Sequence, residues 1–270
     1  MSALLHLYLD QFLIFVLVLT RVGCLLMSLP VLGTASVPMH VRALLAVAIS
    51  LVITPLYWGL SIPIPENLLD LSLLLVREAE LGLALGLAVM ILLSGMQLAG
   101  QVVSQISGLS LADVVNPSFD TTVPIFSQIL EMLAVAIFFL VGGHRQVIDA
   151  LLGSFTWMPP GQGRLPDDMV AALSAVAAES FEVGIRASAP VMVALLLSTL
   201  IVALVSRTLP QLNAVAVGLN FNSLIVLAVL AFGIGSAGWV FQEELSSVME
   251  HVGQAFVPAE DQSTRTIGYR

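Results

Sequence analysis

The sequence predicts an all-α integral membrane protein, and three observations carry that expectation. Of 270 residues, 58% are hydrophobic and 10% charged, with a mean hydropathy of +1.02, against about 45–50% apolar and about 25% charged in soluble domains. Six apolar runs are long enough to cross a bilayer core as helices, which takes about 20 residues at a rise of about 1.5 Å. Between the third and fourth runs, the partly polar stretch GLSLADVVNPSFDTTVP, residues 108–124, breaks the pattern.

Taken in order, the first run covers residues 11–29. No Arg or Lys precedes it and no small-residue cleavage pattern follows, so a removable signal peptide is not expected. A link punctuated by Pro30 and Pro38 leads to the second run, 42–60. The third, 68–95, continues as a row of small residues, Gly100, Ser104 and Gly108, whose spacing of four keeps them on one helix face. The fourth runs from 125 to 155. The connection WMPPGQGRLPDD, 157–168, then stacks Pro and Gly and offers Asp167 as an N-cap. An alanine-rich helix over 169–182 leads into the fifth run, 183–205, and the sixth covers 212–241. With no repeat of fixed period and no boundary for a second soluble domain, residues 1–254 read as a single membrane domain ahead of a polar tail, 255–270.

Hydrocarbon offers no partner to backbone N–H and C=O groups. Irregular backbone at membrane depth therefore survives only where protein covers it or where it lines a water-filled path. Asn116-Pro117 cannot continue a helix, because proline lacks the donor and drives its predecessor out of the α region. Two readings follow for residues 108–124: an ordinary aqueous connection, or a segment lying in or across a conduit.

The nine basic residues are all arginine and scattered singly, which excludes a nucleic-acid-binding patch. Their distribution over the connections is too even to orient the chain, a pattern that fits helices buried in a protein assembly. The formal charge of −9 arises in polar connections and the tail and is uninformative. Cys24, the single cysteine, sits in an apolar run and can form no intramolecular disulfide. Arg21, Arg77, Glu78, Glu80, Glu131, His144, Arg145 and Asp149 fall within or against the apolar runs, where ionisable groups are costly and retained for a reason. Structural pairing is the simpler reading and a proton relay the sharper one. Arg145 and Asp149, four apart, share a face.

Gly233-Ile-Gly235-Ser-Ala-Gly238 matches a dinucleotide-binding pattern, but that pattern has meaning only at a strand-to-helix turn in a βαβ unit. Here it is a small-residue face for close helix approach, like Gly82 and Gly86. No metalloprotease, nucleophile-elbow or phosphate-loop motif occurs. The four histidines lie far apart, so neither an enzyme nor a cofactor is expected. A secondary transporter would bind its substrate at the broken segment, but a matching interruption in the other half is not evident.

Five segments together resemble one family. They are RVGCLLMSLPVLGTASVPMHVR with Arg21, Pro30, Pro38 and Arg42; Pro55; the stretch 108–124; LAVAIFFLVGGHRQVIDALLGSF with Gly143 and His144; and RTLPQLNAVAVG with Arg207, Pro210, Gln211, Asn213 and Gly218. In this order and spacing the chain resembles the FliR family of flagellar type III export gates and, more distantly, its injectisome counterpart. It departs from that family at Leu219-Asn220, where a proline usually follows the glycine. The resemblance implies a non-enzymatic subunit, without cofactor or metal, in the bacterial inner membrane at the flagellar basal body. It further implies assembly with the membrane proteins FliP and FliQ and with other export-apparatus proteins, in contact with lipid, for passage of unfolded protein substrates. Residues 108–124 become a pore plug under this resemblance. Val114, Val115 and Phe119 then form the seal, Asp113 and Asn116 meet pore water or neighbouring backbone, and Gly108 and Pro124 act as hinges. Arg21, Pro30, Pro38, Arg42, Gly143, His144, Arg207, Pro210 and Gln211 would serve assembly.

Overall fold

A computed structural model describes residues 2–30, 37–60, 62, 65, 67–108, 124–208, 218, 220–229, 231, 242, 243, 245, 247, 248 and 251, with side chains described from residue 8 onward. The described residues are helical almost throughout and include no strand. The protein is all-α, with helices of membrane-spanning length and apolarity.

Helix α1 covers Ser2–Ser28 and α2 Met39–Ile53, the latter ending in a 3₁₀ turn, Thr54–Tyr57, whose second residue is Pro55. A proline is tolerated there because the first N–H groups of a helix have no internal acceptor. Helix α3, Leu68–Ser107, runs for 40 residues and absorbs the expected small-residue row into a single element. Helix α4 spans Ile125–Leu140 and α5 Gly143–Trp157. Helix α6, Met169–Thr208, is also 40 residues long, so the alanine-rich stretch and the fifth apolar run form one helix. Asn220–Val229 forms a shorter apolar helix, α7. Among the described residues four helices are long and apolar enough to span, with α4 and α5 together a fifth if counted as one broken span. The sixth expected run lies largely outside the described residues apart from α7, as do Gly233, Gly235 and the tail.

The fourth apolar run is interrupted where the sequence carries Gly142-Gly143. Gly142 has φ +78°, and its N–H bonds back to the Phe139 carbonyl at 3.1 Å, beside Val141 N–H to Ile137 at 2.9 Å. This is the left-handed glycine that commonly ends a helix. Asp167 does not cap α6, which begins two residues later; its carboxylate faces Arg164 at 4.0 Å in an exposed pair.

The described residues divide into two compact units. The first comprises those of Met1–Ile91, His144–Val176 and Ser246–Arg270; the second comprises those of Leu92–Gly143 and Ala177–Leu245. In the first unit α1 and α3 approach at backbone distance. A Cβ on Gly82 would overlap the Arg21 carbonyl, and one on Gly86 would overlap the Ser28 hydroxyl. Leu17, Val18, Val22, Leu81 and Phe155 are fully buried in that unit. In the second unit Val103, Phe126, Val191, Leu195 and Val226, from α3, α4, α6 and α7, form one apolar cluster.

This packing gives two alanine substitutions opposite signs. Gly82→Ala forces a backbone shift of the kind that costs about 1–3 kcal/mol. Gly23→Ala meets nothing within 4 Å and gains about 0.8–1.0 kcal/mol of helix propensity. Thermal unfolding of the detergent-extracted protein should therefore fall below wild type for Gly82→Ala and not for Gly23→Ala. Equal midpoints for the two variants would refute the close α1–α3 approach.

Candidate functional site

Two places in the chain gather the residues of interest, one in each unit. The first is built around Arg21, which α1 carries into the interior with no exposed side-chain surface, and Glu78 on α3, equally enclosed. Arg21 Nε donates to Glu78 Oε2 at 2.7 Å, Nη1 to the Ser154 hydroxyl of α5 at 3.1 Å, and Nη2 to the Met158 carbonyl at 3.0 Å. The guanidinium carbon lies 4.1 Å from the centre of the Phe155 ring, and Phe155 in turn packs against Tyr57 at 5.9 Å. Ser154 accepts from Arg21 while donating to the Leu151 carbonyl at 2.7 Å.

The other carboxylate oxygen holds a turn. Gly161 N–H donates to Glu78 Oε1 at 2.9 Å. Pro159-Pro160-Gly161-Gln162 has the residue pattern of a type II turn, with proline at its second position and glycine at the third, where φ must be positive. Gly161 indeed has φ +82°, and Gln162 N–H bonds to the Pro159 carbonyl at 3.0 Å. The turn is set by local sequence, and that leaves the Gly161 N–H pointing at the carboxylate. One ion pair thus fastens α1, α3, α5 and the connection to α6. Moving two charges out of water costs several kcal/mol each, which a close pair offsets only when the remaining donors and acceptors are also met. Here three guanidinium nitrogens and both carboxylate oxygens have partners.

Of the other expected ionisable residues, Arg77, Glu80, His144, Arg145 and Asp149 are exposed and Glu131 is half-buried. Arg145 and Asp149 share a face of α5 but do not join ion pairs such as Arg21–Glu78, Arg164–Asp167 and Arg186–Glu182. Reading the sequence did not single out Glu78 from Arg77 and Glu80. A signal was present: Glu78, Gly82 and Gly86 repeat at four, so Glu78 lies on the face that meets α1. No group of three His, Cys, Asp or Glu residues that could hold a metal exists among the described residues.

The second place is the pair of flanks around the broken segment. Asp113, Val114, Val115, Asn116, Pro117 and Phe119 lie outside the described residues, whereas Gly108 and Pro124 lie within them. Gly108 closes α3 with φ +80° and an N–H bond to the Gln105 carbonyl at 3.2 Å, and the Pro124 carbonyl accepts the Gln128 N–H at 3.2 Å as α4 begins. Phe126, two residues past Pro124, packs in the cluster that holds Val103 of α3. Ser127 donates to the Gln97 carbonyl at 2.8 Å. Gly100 leaves no room for a Cβ against the Ser127 backbone.

The remaining expected residues are spread out. Pro30 follows α1 and is half-buried. The Pro38 carbonyl accepts the Val41 N–H at 2.9 Å, and Arg42 Nη2 bonds the Val37 carbonyl at 3.0 Å. Gly143 is buried against the Phe138 ring, Arg207 is exposed in the last turn of α6, and Pro210, Gln211 and Asn213 are outside the described residues.

Residues 12–248, which take in both places, match the family described as bacterial export proteins, family 1. The chain belongs to the FliR family of bacterial export proteins. It is 26% identical over 234 residues to the flagellar biosynthetic protein FliR of Caulobacter vibrioides, covering 87% of this chain and 93% of that one. It is 29% identical over 225 residues to FliR of Bacillus subtilis, covering 82% and 86%. Similarity also extends to the secretion system apparatus protein SsaT of Salmonella typhimurium, at 24% over 160 residues and 58% and 61% coverage. Membership makes this a multi-pass membrane component of flagellar protein export.

Removing one member of the ion pair isolates a buried charge, at a cost of about 3–5 kcal/mol, whereas removing both does not. Arg21→Leu should therefore sharply lower the amount of folded protein recovered from membranes, and adding Glu78→Leu should restore a substantial part of it. Quantitative immunoblotting after detergent extraction reads the outcome, and a double variant no better than the single one would show that the pairing does not govern stability.

Proposed function

We propose that this chain is a non-enzymatic subunit of a flagellar type III export gate in the bacterial inner membrane, at the basal body. In this reading it assembles with FliP, FliQ and other membrane proteins of the export apparatus into a conduit for unfolded flagellar proteins. The observation that carries the reading is the family match over residues 12–248, together with near-full-length likeness to flagellar relatives. Residues 1–254 act as one export-gate domain, with 255–270 outside it.

Surface chemistry supports an assembled state. Only 22% of the most apolar window of α2, and 22% of that of α6, is buried within the chain, against 61% for α3. Leu196, Leu197, Leu200 and Leu204 of α6 are all more than half exposed. Apolar surface on this scale is covered by lipid or by neighbouring subunits. Arg21 acts in assembly indirectly, by holding the helices of its unit in the form that neighbours meet. Arg42, Gly143, His144, Arg207, Pro210 and Gln211, with Pro30 and Pro38, belong to the surfaces and turns that assembly uses.

An export conduit has to pass unfolded chains without leaking ions, which requires a packed constriction that yields at low cost. Residues 108–124 serve as that plug: Val114, Val115 and Phe119 seal, Asp113 and Asn116 meet water or backbone, Asn116-Pro117 bars helix formation, and Gly108 and Pro124 are the hinges. The SsaT likeness favours a second reading, an injectisome gate, but it covers a smaller share of both chains than the flagellar matches do.

Two experiments test the partners and the plug in turn. Affinity purification of the intact complex followed by mass identification should return FliP and FliQ; recovery of injectisome subunits instead would favour the second reading. Deletion of residues 113–120 leaves α3 and α4 whole, so the complex should assemble at wild-type levels yet lower membrane potential and slow growth when expressed with its partners. An assembled deletion that leaks no more than wild type would remove the plug role.

A further inference from the structure

A polar clasp in the second unit serves no part of the reading above. Asn222 of α7 is 4% exposed, and its side-chain amide reaches two other helices. Its Nδ2 donates to the Ser107 carbonyl at the end of α3 at 3.2 Å, and its Oδ1 accepts from the Ser198 hydroxyl of α6 at 2.6 Å. Ser107 and Ser198 are each 1% exposed. Carbonyls in the last turn of a helix have no intrahelical donor, and in an apolar interior an unmet carbonyl is costly. Most buried serines of this chain bond a carbonyl one turn back on their own helix, as Ser50 does to Ala46 at 2.7 Å. Ser198 instead bonds across helices, and Asn222 bonds a backbone carbonyl 115 residues away in the chain.

The place of that carbonyl matters. Ser107 immediately precedes Gly108, the left-handed residue at which the chain leaves α3. Val226, one turn beyond Asn222, lies in the cluster that also holds Val103 and Phe126, the apolar anchors on either side of the broken segment. We propose that Asn222 is a positioning residue: with Ser198 it clasps the last turn of α3 and so fixes the point from which the plug departs. This rests on the reading of residues 108–124 as a plug and adds what holds its base. Asparagine suits the task because one planar amide donates and accepts at once. Leucine has the same branched skeleton of heavy atoms, is bulkier, and loses both bonds.

The test uses a reporter that does not depend on leakage. Ser104 is 1% exposed and its hydroxyl has no hydrogen-bond partner, so Ser104→Cys in a Cys24→Ala background adds a buried thiol to the last turn of α3 without removing a bond. In membranes containing the assembled complex, N-ethylmaleimide labelling of this thiol should rise about three- to tenfold on Asn222→Leu, the population change expected for a lost buried hydrogen bond. The rise should be smaller for Ser198→Ala, which spares the Ser107 bond. Ion leakage should increase in the same order without a matching loss of complex. Labelling per complex unchanged from the parent in both variants overturns the clasp, including the case in which either variant only lowers the amount of complex. Faster labelling without leakage, in a background where deletion of residues 113–120 also fails to leak, keeps the clasp and removes the plug reading.

Discussion

The Arg21–Glu78 pair is the interaction on which the first unit depends. Three helices and a backbone turn meet at two side chains, and neither charge has access to water. Because the guanidinium is planar and presents its donors in a fixed fork, each of its bonds also restricts direction. Arg21 can reach Glu78, Ser154 and Met158 at once only when α1, α3 and α5 stand in a single arrangement. Lysine, with one compact ammonium, could not reproduce the set. The absence of lysine from the chain is in keeping with this use of a planar cation in an apolar interior.

Around that pair, most buried polar side chains follow the same rule of internal satisfaction, the Ser104 hydroxyl being an exception. Buried serines mostly turn their hydroxyls back to a carbonyl three or four residues earlier, which meets the hydroxyl without enlisting another helix. Exceptions are few among the described residues, and they stand where helices have to be placed. Ser127 bonds the Gln97 carbonyl beside the start of α4, and Ser198 bonds Asn222 beside the end of α3. Polar groups that act between helices thus stand at both flanks of the broken segment as well as at the ion pair. Helices in an apolar medium need fixed points of this kind, because apolar faces by themselves slide with little directional preference.

Much of this was legible in the sequence. The apolar runs located every long helix among the described residues, Pro159-Pro160-Gly161-Gln162 announced its turn, Gly82 and Gly86 marked a close approach, and Gly108 and Pro124 marked the ends of the helices that flank the interruption. Gly142-Gly143 was an equally plain stop signal that a run of apolar residues on both sides concealed. Pairings were harder to read. In α5 the shared face of Arg145 and Asp149 was legible from their spacing, but the run of apolar residues before Gly142 made the stretch look like one span and hid that this face is exposed. Helix α3 is apolar nearly all round and has little amphipathic contrast, which hid Glu78 among three neighbouring charges, although its register with Gly82 and Gly86 distinguished it. Asn222 was still less visible, since its partner lies on another helix and its significance comes from where that helix ends.

The two fastenings differ in a way that fits the places they occupy. An ion pair enclosed on all sides is all-or-none: separating it exposes both charges to an apolar interior, so it suits a junction that never opens. A neutral amide bonded to one carbonyl and one hydroxyl can be given up for a modest free energy, of the order of one or two hydrogen bonds. Such a bond holds a helix end in place and can still be released without exposing a charge. The strong pair therefore stands in the unit that contains neither flank of the interruption, and the weak clasp stands at the residue from which the interruption begins.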